Sequence, residues 1–183
     1  EYGIRANDSY YLTIENNVVE GFKRFGIYFE NSPYSQVNFN ELSISETPQE
    51  LSYNQPNAGI YNSASNQYAE IRGNEVSLLN GAQGYQSGGR GIQAHDSEIV
   101  GNIVSISSEG GSYRSAIGIR ADRSTIQDNE VWVDDENGSG SYGSGGYDYG
   151  YHGPGVGIVS FGSSSSRSII SGNTVDANRQ SHS

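Results

Sequence analysis

The chain has 183 residues and no cysteine, which excludes disulfides, metal–thiolate sites and cysteine nucleophiles. Its formal net charge is −11 at pH 7, with ten Lys and Arg residues against 21 Asp and Glu residues, so it lacks the basic surface that nucleic-acid phosphates require. No apolar run approaches the ~20 residues that a membrane-spanning helix needs. We therefore expect neither a nucleic-acid partner nor a membrane span.

One short phrase recurs six times along the chain. Each copy opens with a Gly-Ile pair, continues through a polar stretch that often contains serine, and closes on an aliphatic residue, two further residues, an Asn, one residue and a second aliphatic residue. Repetition of this kind is the signature of a repeat architecture. The six pairs begin at Gly3, Gly26, Gly59, Gly91, Gly118 and Gly157.

Each copy predicts two short strands, one on the Gly-Ile segment and one on the Asn-x-Val segment, because apolar and polar residues alternate there. Since one copy cannot bury its apolar side alone, we expect the copies to stack as coils that share a core. The sequence thus predicts an all-β fold, a parallel β-helix of about six coils, as a single domain over residues 1–183. The isoleucines of the six pairs then form one interior column: Ile4, Ile27, Ile60, Ile92, Ile119 and Ile158.

The repeated asparagines are interpreted as structural and not as ligands. Each falls at a bend between two strands, where its amide can bond backbone groups and the Asn of a neighbouring coil, at about 1 kcal/mol net per bond. The predicted internal ladder consists of Asn17, Asn40, Asn74, Asn102, Asn129 and Asn173. The repeated glycines are expected to permit tight backbone geometry where the first strand starts.

The segments after the second strand vary in length and are expected to leave at one corner, forming a wall beside the outer face of the Gly-Ile strands. The longest, residues 134–156, is rich in Gly, Ser and Tyr, and is either a flap that grips sugar through Tyr149, Tyr151 and His152 or a low-complexity insertion. Its acidic start offers oxygen ligands for Ca²⁺, but the spacing matches no complete calcium loop. We expect no tight metal site and no cofactor.

Alternation along the Gly-Ile strands predicts which side chains point outward. Coils lie ~4.8 Å apart, so His95 and Asp122 should be neighbours with Arg120 in reach of both. These three are the candidate catalytic residues, since His moves protons and Arg pairs with a uronate carboxylate. The candidate substrate-binding residues of this face are Arg5, Tyr28, Tyr61 and Gln93, with tyrosine rings that can stack on a pyranose. The alternative is a solvated structural face.

A second outer face carries Glu15, Glu41, Arg72, Glu75, Gln127 and Glu130 and is also polar. We expect it to lack the mixed chemistry of the first face and to have no loops beside it.

With these repeats the chain resembles the right-handed, pectin-lyase-like β-helix superfamily over residues 3–177, nearest to mannuronan C5-epimerase-like and copper-accessory-like surface repeats. The resemblance implies right-handed coils and a substrate cleft on the Gly-Ile strand face. The epimerase phrase Tyr-Gly-Phe-Asp-Pro-His-Glu compares with residues 90–96, and His95, Asp96 and Asp122 fit the family pattern. Arg90 and Gln93 replace a tyrosine and an aspartate that the family uses for catalysis.

The two ends of the stack show no polar cap in the sequence, and bare strand edges attract other chains. We expect either a mature or excised piece of a longer chain, such as a phage spike or adhesin, or copies that stack end to end as a filament.

The expected function is binding of acidic polysaccharide at an extracellular, cell-surface or virion-surface location. Processing of the polymer by lyase, epimerase or glycoside hydrolase chemistry stays open. The alternative function is a self-associating structural filament or adhesin.

Overall fold

The computed structural model describes residues 2–44, 57–63, 68–78, 89–108, 116–135, 155–161 and 167–178, and these ranges contain eighteen β-strands. Within these ranges no helix has the length and apolar character needed to cross a bilayer. The predicted flap residues Tyr149, Tyr151 and His152 lie outside the described residues, as does most of each of the longer variable segments.

The strands follow one another in six sets of three, one set for each copy of the repeated phrase. They are β1 (Tyr2–Asn7), β2 (Thr13–Glu15), β3 (Val18–Glu20), β4 (Phe25–Glu30), β5 (Gln36–Asn38), β6 (Glu41–Ile44), β7 (Ala58–Asn62), β8 (Ala69–Arg72), β9 (Glu75–Leu78), β10 (Arg90–His95), β11 (Ser97–Val100), β12 (Ile103–Ser108), β13 (Ile117–Asp122), β14 (Thr125–Gln127), β15 (Glu130–Asp135), β16 (Val156–Phe161), β17 (Ile169–Ser171) and β18 (Thr174–Asn178).

Each of the first fifteen strands pairs in parallel with the third strand after it, which builds three six-stranded sheets. Sheet A has the order β1-β4-β7-β10-β13-β16, sheet B contains β2, β5, β8, β11, β14 and β17, and sheet C contains β3, β6, β9, β12, β15 and β18. One turn of the chain visits the three sheets in the order A, B, C before it starts the next coil. The predicted parallel β-helix of six coils is confirmed.

The prediction of two strands in each copy was wrong, because the aliphatic residue before each Asn lies in a separate strand of sheet B. The residue between that strand and the Asn has a positive φ in all six coils, which turns the chain into sheet C. These six residues are Asn16, Phe39, Gly73, Gly101, Asp128 and Gly172. The single second outer face is corrected as well: Glu15, Arg72 and Gln127 belong to sheet B, whereas Glu41, Glu75 and Glu130 belong to sheet C.

The core consists of aliphatic columns that run along the axis of the coils. The Gly-Ile isoleucines align in register from Ile4 to Ile158, as predicted, and those of the four middle coils are fully buried. Sheet C contributes a second column from Val19 to Val175, and sheet B a third. Each coil therefore completes the core of its neighbours, which is why a chain with only 33% hydrophobic residues can fold.

The asparagine ladder is confirmed from Asn17 through Asn173. The Oδ1 atom of Asn102 accepts hydrogen bonds from the backbone N and from Nδ2 of Asn74, each at 2.9 Å. The Nδ2 atom of Asn102 also donates to the carbonyl oxygen of Ile71 in sheet B at 2.9 Å. The same pattern repeats along the ladder, and the four middle asparagines are at most 1% exposed.

A second ladder, of serines, lies at the corner between sheets A and B. In four coils the second residue after the end of the sheet A strand is a serine: Ser9, Ser32, Ser97 and Ser124. The backbone N of Ser97 donates to Oγ of Ser124 at 3.1 Å. The hydroxyls of both serines donate back to the carbonyl oxygens of His95 and Asp122, each at 2.7 Å, and so fix the ends of β10 and β13.

The variable segments differ from the expected ones in their bounds and in their location. Residues 134 and 135 form the end of β15, and residue 156 begins β16, so the segment between these strands is residues 136–155. The chain also varies in length at the corner between sheets A and B, where five residues separate β1 from β2 and only Asp96 separates β10 from β11. Variation is therefore found at two corners and not at one.

Candidate functional site

The outer face of sheet A carries the candidate residues in two columns, as the alternation predicted. In the first column Arg5 pairs in register with Tyr28, Tyr28 with Tyr61, Tyr61 with Gln93, and Gln93 with Arg120. In the second column His95 pairs in register with Asp122. The structure thus brings together Arg5, Tyr28, Tyr61, Gln93, His95, Arg120 and Asp122 on one face.

Gln93 is less accessible than its place in the outer column predicted, with only 7% of the residue exposed. The guanidinium of Arg90, three residues earlier on the same strand, donates a hydrogen bond to Oε1 of Gln93. Gln93 therefore positions an arginine of this face, and a role in direct substrate contact stays a prediction.

Tyr28 and Tyr61 stack on one another, with ring centroids 5.6 Å apart and planes at 8°. Phe25 contacts both rings at 5.3 and 4.8 Å, and the guanidinium of Arg5 lies over the ring of Tyr28 at 5.6 Å. Because the two tyrosines are in register on neighbouring parallel strands, each ring covers one face of the other and leaves less ring face for a ligand. Tyr28 thus has neighbours on both ring faces, so a sugar on this face would contact its edge and hydroxyl.

The hydroxyl of Tyr28 donates a hydrogen bond to Oε2 of Glu30 at 2.8 Å. Burial, reinforced by this bond to Glu30, raises the pKa of Tyr28 to about 12. The phenol therefore stays protonated near neutral pH, and Tyr28 serves as a hydrogen-bond donor and not as a base.

His95 and Asp122 form a hydrogen-bonded pair, with 2.9 Å between Nδ1 of the imidazole and Oδ2 of the carboxylate. Burial lowers the pKa of His95 below its usual value; the carboxylate of Asp122 opposes this shift, and the guanidinium of Arg123 adds to it. A neutral His95 that donates from Nδ1 keeps a lone pair on Nε2. The pair therefore has the geometry of a histidine base oriented by a carboxylate.

The other oxygen of this carboxylate, Oδ1 of Asp122, is buried and has no hydrogen-bond partner among the described residues. A buried carboxylate oxygen without a partner is costly, and such atoms mark places where a ligand or water completes the arrangement. Oδ1 of Asn38 and Oδ1 of Asp134 share this property, so it does not by itself single out the end of β13 as a binding site.

Asp96, which fits the epimerase pattern, is engaged elsewhere. Both of its oxygens accept hydrogen bonds from Arg123, from Nε at 2.6 Å and from Nη2 at 2.5 Å. Sequence reasoning missed Arg123, although it follows Asp122 as Asp96 follows His95, so the repeat itself held the signal. Among the described residues no three His, Cys, Asp or Glu side chains are grouped to hold a metal ion.

Positive charge is concentrated on this face of an otherwise acidic chain. The strands of sheet A carry Arg5, Arg90 and Arg120 against two carboxylates, those of Glu30 and Asp122. Arg24, directly before β4, adds a fourth guanidinium that lies over the ring of Phe25 at 4.8 Å. The face is therefore opposite in sign to the net charge of −11.

No protein-family model matches this chain, and no curated protein or solved structure matches it either. The fold and the chemistry of its surfaces are thus the basis for any statement about function.

Proposed function

We propose that the chain binds an acidic polysaccharide along the outer face of sheet A. The observation that carries the proposal is the group of guanidinium side chains on this face, in a protein whose net charge is −11. Arginine pairs with a carboxylate through two parallel hydrogen bonds, which suits a uronate better than a neutral sugar.

The arginines are spread along the axis of the coils, as a linear polymer requires. Arg5 lies in the first coil, Arg90 in the fourth and Arg120 in the fifth, so the group extends over about 19 Å at the usual strand spacing. A polyuronate lying parallel to the axis would meet Arg5 near one end and Arg120 near the other, with the hydroxyl edges of Tyr28 and Tyr61 between them. We place this activity outside the cell, at a cell or virion surface.

The pair of His95 and Asp122 lies at the Arg120 end of this face, where it would meet the same polymer. If the polymer is processed, Nε2 of His95 is the proton acceptor that we propose, which keeps lyase, epimerase and glycoside hydrolase chemistry as extensions of the binding function. Assignment to the right-handed, pectin-lyase-like superfamily belongs to the same proposal, and the three-sheet coil with its asparagine ladder supports it.

Replacing Arg120 with alanine tests the proposal. Loss of a charge-assisted pair should weaken binding of an oligouronate by about 1.5–3 kcal/mol, or about 10- to 150-fold in Kd, as measured by isothermal titration calorimetry. Arg72→Ala is the matched control, because Arg72 lies on sheet B and is held by Glu70 at 2.6 Å and Glu98 at 3.3 Å. Equal behaviour of the two variants would refute binding on sheet A.

A second candidate function, self-association end to end, rests on the sixth coil. Ile170 and Val175 are 52% and 46% exposed, whereas the residues in the same columns of the fifth coil, Ile126 and Val131, are fully buried. An exposed core column is a surface on which a further coil can pack. The proposed partner is a second copy of this chain.

Light scattering over a range of concentrations tests this second function. If copies stack, the mean mass should rise with concentration, and Val175→Lys should suppress the rise by placing a charge in the apolar contact. The exposed Thr174→Lys adds the same charge on the outer side of β18 and should suppress it less. A constant monomer mass for the unchanged chain would contradict the proposed stacking.

A further inference from the structure

A stack of tyrosines lies on the corner between sheets A and B, outside the face described above. Tyr11, Tyr34 and Tyr68 occupy this corner in the first three coils, one residue for each coil, and all three have a positive φ. The rings of Tyr11 and Tyr34 are 5.4 Å apart at 18°, and those of Tyr34 and Tyr68 are 5.7 Å apart at 7°. The stack therefore runs along the axis of the coils, and the ring planes are roughly perpendicular to that axis.

The stack stops at Tyr68, because the next coil has a different corner. In the fourth coil a single residue, Asp96, connects β10 to β11, and the backbone N of Tyr68 donates to its carbonyl oxygen at 2.9 Å. Tyr68 remains 68% exposed. The ring face of Tyr68 that does not contact Tyr34 is directed toward the fourth coil. Because the corner of the fourth coil is short, the Tyr68 ring projects beyond it.

Beside the Tyr68 ring, on the side of the fourth coil, lies a groove of about 460 Å³, within the range of about 300–1,000 Å³ common for small-ligand sites. Its polar lining comes from the corner and from the outer side of sheet B: Glu70, Asp96, Glu98, Arg123 and Thr125. The ion pair between Asp96 and Arg123 spans the short corner, so planar polar groups lie beside the exposed aromatic ring.

Each carboxylate of this groove is paired with a guanidinium group. Arg72 pairs with Glu70 at 2.6 Å and with Glu98 at 3.3 Å, and Arg123 pairs with Asp96. Three carboxylates and the guanidinium of Arg123 line the groove, and Arg72 pairs with two of these carboxylates from outside the lining. Sheet A, by contrast, carries more arginines than carboxylates. A neutral ligand with many hydroxyl groups matches this lining, because carboxylates accept from hydroxyls and the guanidinium groups donate to them.

We propose that this groove, which we call the Tyr68 groove, binds a pyranose unit of a neutral glycan stacked on the exposed ring face of Tyr68. The apolar side of the sugar ring packs on the aromatic ring, and its hydroxyls bond to Glu98, Asp96 and Arg123. The site is separate from the face of sheet A and does not depend on the function proposed for that face. A chain that carries both sites binds an acidic and a neutral sugar at neighbouring positions.

The test titrates the full chain with cellohexaose, mannohexaose and xylohexaose, using calorimetry and saturation-transfer NMR. At least one of these should bind, Tyr68→Ala should weaken its binding about tenfold, and Tyr68→Phe should stay within about twofold because the ring is kept. Tyr10→Ala is the matched control, since Tyr10 is 73% exposed. Its effect should be smaller than twofold.

Three results would overturn the Tyr68 groove as a glycan site: no binding of any of the three hexasaccharides, equal losses in Tyr68→Ala and Tyr10→Ala, or displacement of the neutral sugar by saturating oligouronate. The last result would place the neutral sugar on sheet A. Failure of the oligouronate itself to bind would refute the function proposed for sheet A and leave the neutral-sugar result standing. Circular dichroism of each variant confirms that the coils remain folded.

Discussion

Replacing Asn102 with alanine should lower the free energy of unfolding by about 3–5 kcal/mol. The side chain is fully buried and accepts from the backbone N and Nδ2 of Asn74 while donating to the carbonyl oxygen of Ile71. Alanine leaves the backbone N of Asn74 without its acceptor and removes one hydrogen bond each from Nδ2 of Asn74 and the carbonyl oxygen of Ile71. Each unpaired buried group costs about 1–3 kcal/mol, and the lost side chain leaves a cavity. Urea denaturation followed by circular dichroism measures the change.

Gln127→Ala is the matched control for Asn102→Ala, because it removes an amide side chain from the exposed outer side of β14. We expect it to change the free energy of unfolding by no more than about 0.5 kcal/mol. A similar loss in both variants would show that the ladder does not hold the coils together.

Repetition made most of the fold predictable from sequence. The interior columns and the ladder follow from a phrase whose apolar and Asn positions recur in all six copies, so register errors in one copy are corrected by the others. The three-sheet cross-section was missed because the sheet B strands are as short as three residues and carry too little alternation to identify. The residue directly before each ladder asparagine turns the chain, but it is Asn, Phe, Gly or Asp in different coils. A phenylalanine such as Phe39 does not predict a positive φ, so the turn could not be identified from sequence in every copy.

The candidate site was predictable in its placement but not in its contacts. His95 and Asp122 are neighbours because they occupy the same position in consecutive copies, which the sequence shows directly. The direction of the Tyr28 and Tyr61 rings and the cover that Arg90 gives to Gln93 depend on side-chain rotamers, which spacing does not encode. The Tyr68 groove depends on the change in corner length between coils, so it becomes visible only when the coils are stacked.

The serine ladder shows how the repeat also supports the site. Ser97 and Ser124 hold the carbonyl oxygens of His95 and Asp122, the two residues that form the hydrogen-bonded pair. The strand ends are thereby fixed by backbone contacts and not by the loops, which differ from coil to coil. A rigid coil with variable corners is an arrangement in which surface chemistry can change without cost to the core.

Replacing Gly91 with alanine should lower the free energy of unfolding by about 2–4 kcal/mol through overpacking. A Cβ atom at Gly91 would lie 2.2 Å from Cγ1 of Val104 and 2.6 Å from the carbonyl oxygen of Gly118. The valine belongs to the core column of sheet C and the carbonyl to the neighbouring strand of sheet A, so neither can move without shifting its own ladder. Thermal and urea unfolding measure the loss.

The comparison with Gly101 separates lack of space from backbone strain. Gly101 has a φ of +63° and no atom within 4 Å of a built Cβ, whereas Asn16 and Asp128 hold the same position in other coils. Gly101→Ala should therefore cost only about 1–2 kcal/mol, and Gly101→Asn less, because Asn tolerates this conformation. The double variant Gly91→Ala/Val104→Ala should lose less free energy of unfolding than the sum of the two single variants, because the added methyl group enters the space that Val104 leaves. The contact with the carbonyl of Gly118 remains in the double variant, so part of the loss should remain as well. If Gly91→Ala left the free energy of unfolding unchanged, sheets A and C would have to pack less closely here than the structure shows.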